Sequence, residues 1–229
     1  MRFITETPKE GEKFTIVLTG DGEWERKVLL ALSRKLDGKH VLWRPKPPKS
    51  ELGRRILVSK GIRALIGSVR RICLIFSNIL RERRKLSFLL LFDKEHIKKR
   101  VYERKKLSDI IAQELTSQAA LQVESIDELR HDAVAITARD VSGRNFKIYI
   151  VAMGRTRCLD ENLAYLIKLV KGIDVKPDKR SIMRTLRSLK SNIERLIEEA
   201  GFRKLCEAIP ELIAILEKIS EATNDNYFS

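Results

Sequence analysis

The stretch FTIVLTGDGEWERKVLLALSRKL (14–36) decides the fold. Phe14 to Thr19 are apolar or β-branched almost without interruption and stop at Gly20, as a buried strand does. From Glu23 onward the apolar residues fall at Trp24, Val28, Leu29, Leu32 and Leu36, the spacing of one helix face, and Gly38 ends the run. A strand that passes through a short turn into a helix opens a strand–helix–strand unit. The turn, Gly20-Asp21-Gly22-Glu23, is acidic. It reads either as a ligand-binding corner or as a helix start, because Asp and Glu suit the positive end of a helix dipole.

Working outward, HVLWR (40–44) is a second short strand, and PKPPK (45–49) ends it because proline cannot donate to a ladder. Ser50 caps the next helix, with Gly53, Gly61 and Gly67 marking breaks. Residues 62–84 are amphipathic, with Leu65, Ile66, Val69, Ile72, Cys73, Phe76, Ile79 and Leu80 on one side. LSFLLLF (86–92) is apolar on both strand faces, as a central parallel strand covered by helices would be. A charged helix is expected over 97–119, a strand over 121–126, two strands around a Ser-Gly turn over 132–154, and a helix over 160–170 ended by Gly172. GIDVKPDKR (172–180) is the best linker. Two or three helices follow at 181–200 and 202–222, with Pro210 restarting the second, and the tail frays.

The expected fold class is therefore α/β: a mainly parallel, Rossmann-like sheet flanked by helices, with a β-hairpin addition and a helical C-terminal part. The division is 1–172 for the α/β domain and 173–229 for the helical region. The helices at 181–222 are expected to pack on the sheet or to mediate association.

The chain has 229 residues, 43% of them hydrophobic, enough for a sizeable core. No run approaches the ~18 apolar residues of a membrane span, and the N-terminus lacks a signal-peptide apolar core. A soluble, cytoplasmic protein without a transmembrane segment is the expectation. Cys73, Cys158 and Cys206 are far apart and odd in number, which argues against a disulfide framework or a thiolate zinc site. Charged residues make up 34% and glutamine is confined to positions 113, 118 and 122, a thermophile-like surface pattern.

The net charge of +15 is localised. Residues 44–106 hold 20 Lys and Arg against five Asp and Glu, which accounts for all of it. A localised excess is an electrostatic footprint for a polyanion, and nucleic acid, DNA or RNA, is the first choice of partner. An anionic membrane, an acidic protein or a merely solvated face are the alternatives. The candidate phosphate contacts are Arg44, Lys46, Lys49, Arg54, Arg55, Arg70, Arg71, Arg83-Arg84-Lys85, Lys98-Lys99-Arg100 and Lys105-Lys106. Trp24 and Trp43 are read as core residues before base-stacking ones.

A second acidic turn, FLLLFDKEHI (88–97), lies inside that block. If the strands at 14–19 and 86–92 are neighbours, Asp21, Glu23, Asp93 and Glu95 converge at one sheet edge, where α/β sheets bind ligands. Clustered carboxylates repel unless a cation neutralises them, and Mg²⁺ (or Mn²⁺) prefers such oxygen ligands.

An apolar strand ending in a Gly-containing acidic turn, then a helix, then an apolar strand ending in Asp93-Lys94-Glu95, resembles the Toprim domain of topoisomerases, bacterial-type primases, small ribosomal-RNA maturases and lysogenization-type nucleases. The resemblance covers roughly residues 14–155 and implies Mg²⁺-dependent phosphodiester hydrolysis. It implies Glu23, Asp93 and Glu95 as catalytic residues, with Asp21 as a further metal ligand. Thr19 stands before Gly20 where the family has a glutamate, its usual general acid/base, and Glu95 replaces the second Asp of an Asp-x-Asp. Asp160 and Glu161, in CLDENL, resemble a further acidic helix start of the lysogenization-type nucleases. The alternative reading is a non-catalytic DNA- or RNA-binding protein, ribosome- or chromatin-associated, whose acidic turns are structural. No P-loop, GxGxxG or GxSxG motif is present.

Overall fold

Lys85–Asp93 forms β4, the middle strand of a seven-stranded sheet in the computed structural model, which describes residues 1–20, 23–36, 38–46, 62–97, 106–130 and 132–224. The other strands are β1 (Arg2–Ile4), β2 (Phe14–Thr19), β3 (Val41–Trp43), β5 (Gln122–Arg130), β6 (Ala133–Arg139) and β7 (Asn145–Met153). Their order is β1-β3-β2-β4-β7-β6-β5. The five strands from β1 to β7 run parallel, and β6 and β5 continue antiparallel. β6 and β7 are joined through an Asp140–Arg144 turn in which Gly143 takes φ +80°, and β7 lies inside the sheet beside β4.

The helices are α1 (Glu23–Lys35), α2 (Ile62–Ile75), α3 (Ser77–Leu80), α4 (Leu107–Ala119), α5 (Leu159–Lys171), α6 (Lys179–Ser188), α7 (Ile193–Glu199), α8 (Phe202–Ala208) and α9 (Pro210–Asn224). β4 explains the layering. Successive strand side chains point to opposite faces, so Leu89 and Leu91 join one core and Phe88, Leu90 and Phe92 the other. The first core is closed by α1 and α5 to α9, the second by α2 and α4. Both layers are continuous with the sheet, and Ile182, Leu196, Leu205, Ile213 and Leu216 of the C-terminal helices share the first core with Val17 and Leu89.

Three local differences from the sequence reading have simple causes. β1 pairs only with β3 at the sheet's margin and is too short to show a period. The helix expected over 181–200 breaks at Leu189–Asn192, where Lys190 adopts φ +49° and Asn192 caps α7 by accepting the N–H of Arg195 at 2.8 Å. The strand expected to stop at Ile126 runs to Arg130, because as an edge strand β5 can expose Glu124, Asp127 and Glu128 to solvent. None of the described helices is long and apolar enough to cross a membrane.

Candidate functional site

β2 and β4 are adjacent and parallel, with Thr19 opposite Leu91 and Gly20 N–H donating to the Leu91 carbonyl at 3.0 Å. Their C-terminal ends therefore open at the same edge. α1 begins there because Glu23 and Glu25 occupy its first turn, where the dipole favours them. β4 ends there in a 3-10 turn, Lys94–His96. The loop from β7 to α5 folds over both. Glu95 N–H donates to the Arg157 carbonyl at 2.9 Å, and Lys94 pairs with the buried Asp132 at 2.5 Å while donating to the Arg155 carbonyl at 3.3 Å. Gly154 makes this loop sterically feasible. Its φ is +106°, and a Cβ there would lie 2.3 Å from the Cys158 nitrogen.

The result is a small pocket, about 190 Å³, lined by Glu23, Glu25, Asp93, Glu95 and Asp160 together with Trp24, Cys158, Leu159 and Lys179. Glu23, Asp93 and Glu95 are thus brought together, while Asp21 lies outside the described residues. Asp93 Oδ1 accepts the N–H of Leu159 at 2.8 Å, yet burial outweighs that bond. Burial, with the nearby charges of Glu25, Glu95 and Asp160, pushes the Asp93 carboxyl up to about 7. Asp160 is raised as well, by burial first, against the pull of Lys179. Glu95 pairs with Arg157 at 3.1 Å, and Glu23 with Lys27 at 3.4 Å. Glu161 does not face the cluster. It accepts the N–H groups of Thr156 and Arg157 and the Thr156 hydroxyl, which hold its pKa down against burial and fix the loop.

Two residues escaped the sequence reading. Glu25 is buried in the pocket wall, although at helical spacing it reads as one more surface charge. Lys179 reaches the rim from α6, with its ammonium 5.5 Å from the Trp24 ring centroid; no local pattern announces that contact across some 155 residues. Thr19, just before Gly20, is buried, with no hydrogen-bond partner for Oγ1 among the described residues, and does not line the pocket. Burial, with the carboxylates of Asp160, Asp93 and Glu95 nearby, pushes the Cys158 thiol up to about 11.

Carboxylate oxygens are the right donors for Mg²⁺ or Mn²⁺, and an ion that keeps most of its waters needs only one or two of them. The half-buried Asp93, with Glu95 beside it, offers such oxygens. Among the described residues, no group of three His, Cys, Asp or Glu side chains is arranged to hold a metal ion.

The expected basic contacts among the described residues do not form one surface. Lys49, Arg54, Arg55, Lys98, Lys99, Arg100 and Lys105 lie outside the described residues. Arg44 follows β3 at the acidic edge, half-buried, its pKa lowered by burial and by Arg26. Lys46 pairs with Glu6 and Lys106 with Glu128. Arg70 and Arg71 are exposed on α2. Arg83, Arg84 and Lys85 stand at the other end of β4. Nine residues of strand, ~3.3 Å each, separate Lys85 from Asp93 by about 26 Å. These three therefore cannot grip a phosphate held at the carboxylates; among the described residues, Arg157 and Lys179 are cations beside the pocket. Trp43 is core, packed edge-on between Phe14 and Phe76.

Comparison with models of known families, with curated proteins and with solved structures finds no match to this chain.

Proposed function

We propose that the protein binds nucleic acid and hydrolyses its phosphodiester bonds at the carboxylate pocket, as a Toprim-like enzyme assisted by Mg²⁺ or Mn²⁺. The observation that carries this reading is the gathering of Glu23, Glu25, Asp93, Glu95 and Asp160 around one pocket at the ends of two adjacent parallel strands. So many acidic groups around one partly open corner ionise together most readily beside positive charge. Asp93 and Glu95 would hold the ion, with Glu23 on the facing helix. When bound, such an ion polarises a phosphate oxygen and lowers the pKa of a water molecule. The rest falls to the chain's own side chains. Glu25 stands in for the glutamate that Thr19 replaces and exchanges the proton of the attacking water or leaving oxygen. Arg157 and Lys179 hold the flanking phosphates.

The test is a cleavage assay on end-labelled single- and double-stranded DNA and RNA with Mg²⁺ or Mn²⁺. Fragments that require the metal and disappear with Glu25→Gln and with Asp93→Asn support the reading. Absence of fragments on every substrate sinks it.

One set of contacts favours a second reading, a nucleic-acid-binding protein without turnover. Asp93 caps α5 through Leu159, Glu95 holds Arg157 and Glu23 holds Lys27, so each expected catalytic carboxyl also has a structural partner. Under that reading Asp93→Asn leaves nucleic-acid affinity untouched and no substrate is cut.

A further inference from the structure

Five arginines line a cavity of about 510 Å³ at the sheet edge opposite the carboxylate pocket: Arg81, Arg83 and Arg84 ahead of β4, Arg139 at the end of β6 and Arg144 in the turn that follows. Glu82 is the one carboxylate among the described residues that line it. Like charges gathered this closely raise one another's energy unless an anion neutralises them. The protein supplies little of that from within. Arg81, Arg84 and Arg144 have no ion-pair partner among the described residues. Arg139 pairs with Glu124 at 3.0 Å, while Arg83 donates to the Glu12 carbonyl at 3.2 Å and lies 4.4 Å from the Phe14 ring centroid. Asp140 acts on Arg144 beyond ion-pair distance, but its Oδ1 is taken up by its own turn. It accepts the N–H groups of Ser142 and Arg144, both at 2.9 Å, and the Ser142 hydroxyl at 2.6 Å.

The cluster is held in shape. Asn145 N–H donates to the Arg84 carbonyl at 3.0 Å, which fixes the segment before β4 against the turn, and Gly143 N–H closes the turn on the Asp140 carbonyl at 3.0 Å. Arg83, Arg139 and Asn145 also line a second cavity, about 660 Å³, to which Lys85 and Lys147 contribute. The two cavities therefore adjoin. Together they make a basic trough across the ends of β4, β7 and β6, two inter-strand steps or roughly 10 Å wide. Lys147 already pairs with Asp127 at 3.3 Å, whereas Lys85, like Arg84, is exposed and has no ion-pair partner among the described residues.

We infer that the arginine cavity binds an oligophosphate, an anion carrying two or more linked phosphate groups, with Arg81, Arg84 and Arg144 as its principal contacts. One phosphate monoester brings only about −1.5 to −2 charges, too few for five arginines against Glu82. A phosphate group also offers three acceptor oxygens, so several guanidinium forks converge on it, where a carboxylate is matched by a single fork. None of the described lining residues is aromatic, so nothing in the cavity selects a base. A free polyphosphate and the phosphate tail of a nucleotide share the chemistry recognised here. This inference is independent of the carboxylate pocket, about 26 Å away along β4.

The experiment is calorimetric titration of the full chain with inorganic phosphate, pyrophosphate, tripolyphosphate, ATP and a hexaglutamate peptide. The expected result is saturable binding of tripolyphosphate, about tenfold or more tighter than phosphate, with ATP no tighter than tripolyphosphate. Arg81→Ala/Arg84→Ala weakens that binding about tenfold or more, and Glu82→Gln strengthens it about two- to fivefold. Arg81 and Arg84 are exposed, so the double substitution leaves the urea midpoint at its native value. Asp93→Asn, at the other end of β4, leaves the affinity unchanged. The inference is overturned if tripolyphosphate does not saturate, if phosphate or hexaglutamate binds as tightly, or if ATP binds and tripolyphosphate does not. It is equally overturned if the arginine double variant binds tripolyphosphate as well as the native chain does, or loses affinity for single- or double-stranded DNA instead.

Discussion

Asp93 Oδ1 accepts the backbone N–H of Leu159 at 2.8 Å, so the last residue of β4 caps a helix that starts 66 residues later. The residue at the helix's own N-cap position, Cys158, makes no side-chain capping bond, and Asp93 takes its place. One carboxyl thereby joins the two acidic elements flanking the pocket and carries the strain of their charge.

That strain has a pH signature. Asp93 ionises near its ordinary value, ~3.9, when unfolded and at about 7 when folded, so the folded state holds its proton longer. Stability from this group is full below the unfolded value and falls as pH rises towards 7. With screening of a partly open carboxyl, the loss is on the order of 2–3 kcal/mol. His40 acts oppositely. Its folded value, about 4, lies below the unfolded 6.5, so its contribution is lost as pH falls through that window. In the native chain the two slopes offset one another between about pH 4 and 6.5. Asp93→Asn keeps the cap acceptor and removes the carboxyl. Urea unfolding of that variant is expected to show stability above native at pH 8 and a steeper decline below pH 6.

Gly154 holds the loop that brings Asp160 and Arg157 to the pocket. With φ +106° and Cys158 N at 2.3 Å from where a Cβ would stand, Gly154→Ala requires backbone movement. The cost expected is at least ~2 kcal/mol, read as a lower urea midpoint at unchanged slope. Gly143, with open space around its Cβ position, is the control at which alanine costs only the positive-φ penalty, ~1 kcal/mol.

The order of strands and helices was readable because β2 and β4 carry unbroken apolar runs that only a doubly covered sheet can bury, and because glycines and prolines punctuate the helices. The convergence of Glu23, Asp93 and Glu95 was expected on condition that β2 and β4 are neighbours, and they are. What could not be read were contacts set by tertiary packing. Glu25 is buried because α1 lies on the sheet with its first turn inward, and Lys179 arrives from a distant helix. The charge map misled for a related reason. Sequence adjacency put Arg83, Arg84 and Lys85 beside Asp93, but an intervening strand carries them to the far edge.

Lys94 and Asp132 form an ion pair in which both side chains are nearly enclosed, 10% and 5% exposed. Removing one partner leaves a buried charge without compensation. Asp132→Leu or Lys94→Met alone is therefore expected to cost ~3–5 kcal/mol, while Lys94→Met combined with Asp132→Leu recovers most of that loss. Chemical denaturation of the two single variants and the double variant gives the coupling energy directly; additive effects would contradict the pairing.

Nucleic-acid contacts are expected at the carboxylate edge. Arg157→Ala with Lys179→Ala should lower affinity for duplex DNA and flatten the plot of log affinity against log salt by about 1.8, at ~0.9 per phosphate contact. Arg84→Ala, on the far edge, should change neither.

The measurement that bears most directly on the carboxylate pocket is calorimetric titration of Mn²⁺ and Mg²⁺ into the native chain and into Asp93→Asn/Glu95→Gln at pH 7 and at pH 8. The pocket reading predicts saturable binding, with proton release near pH 7, in the native chain and none in the double variant. Equal heats from both proteins, or none from either, would contradict it and leave the acidic turns as helix caps.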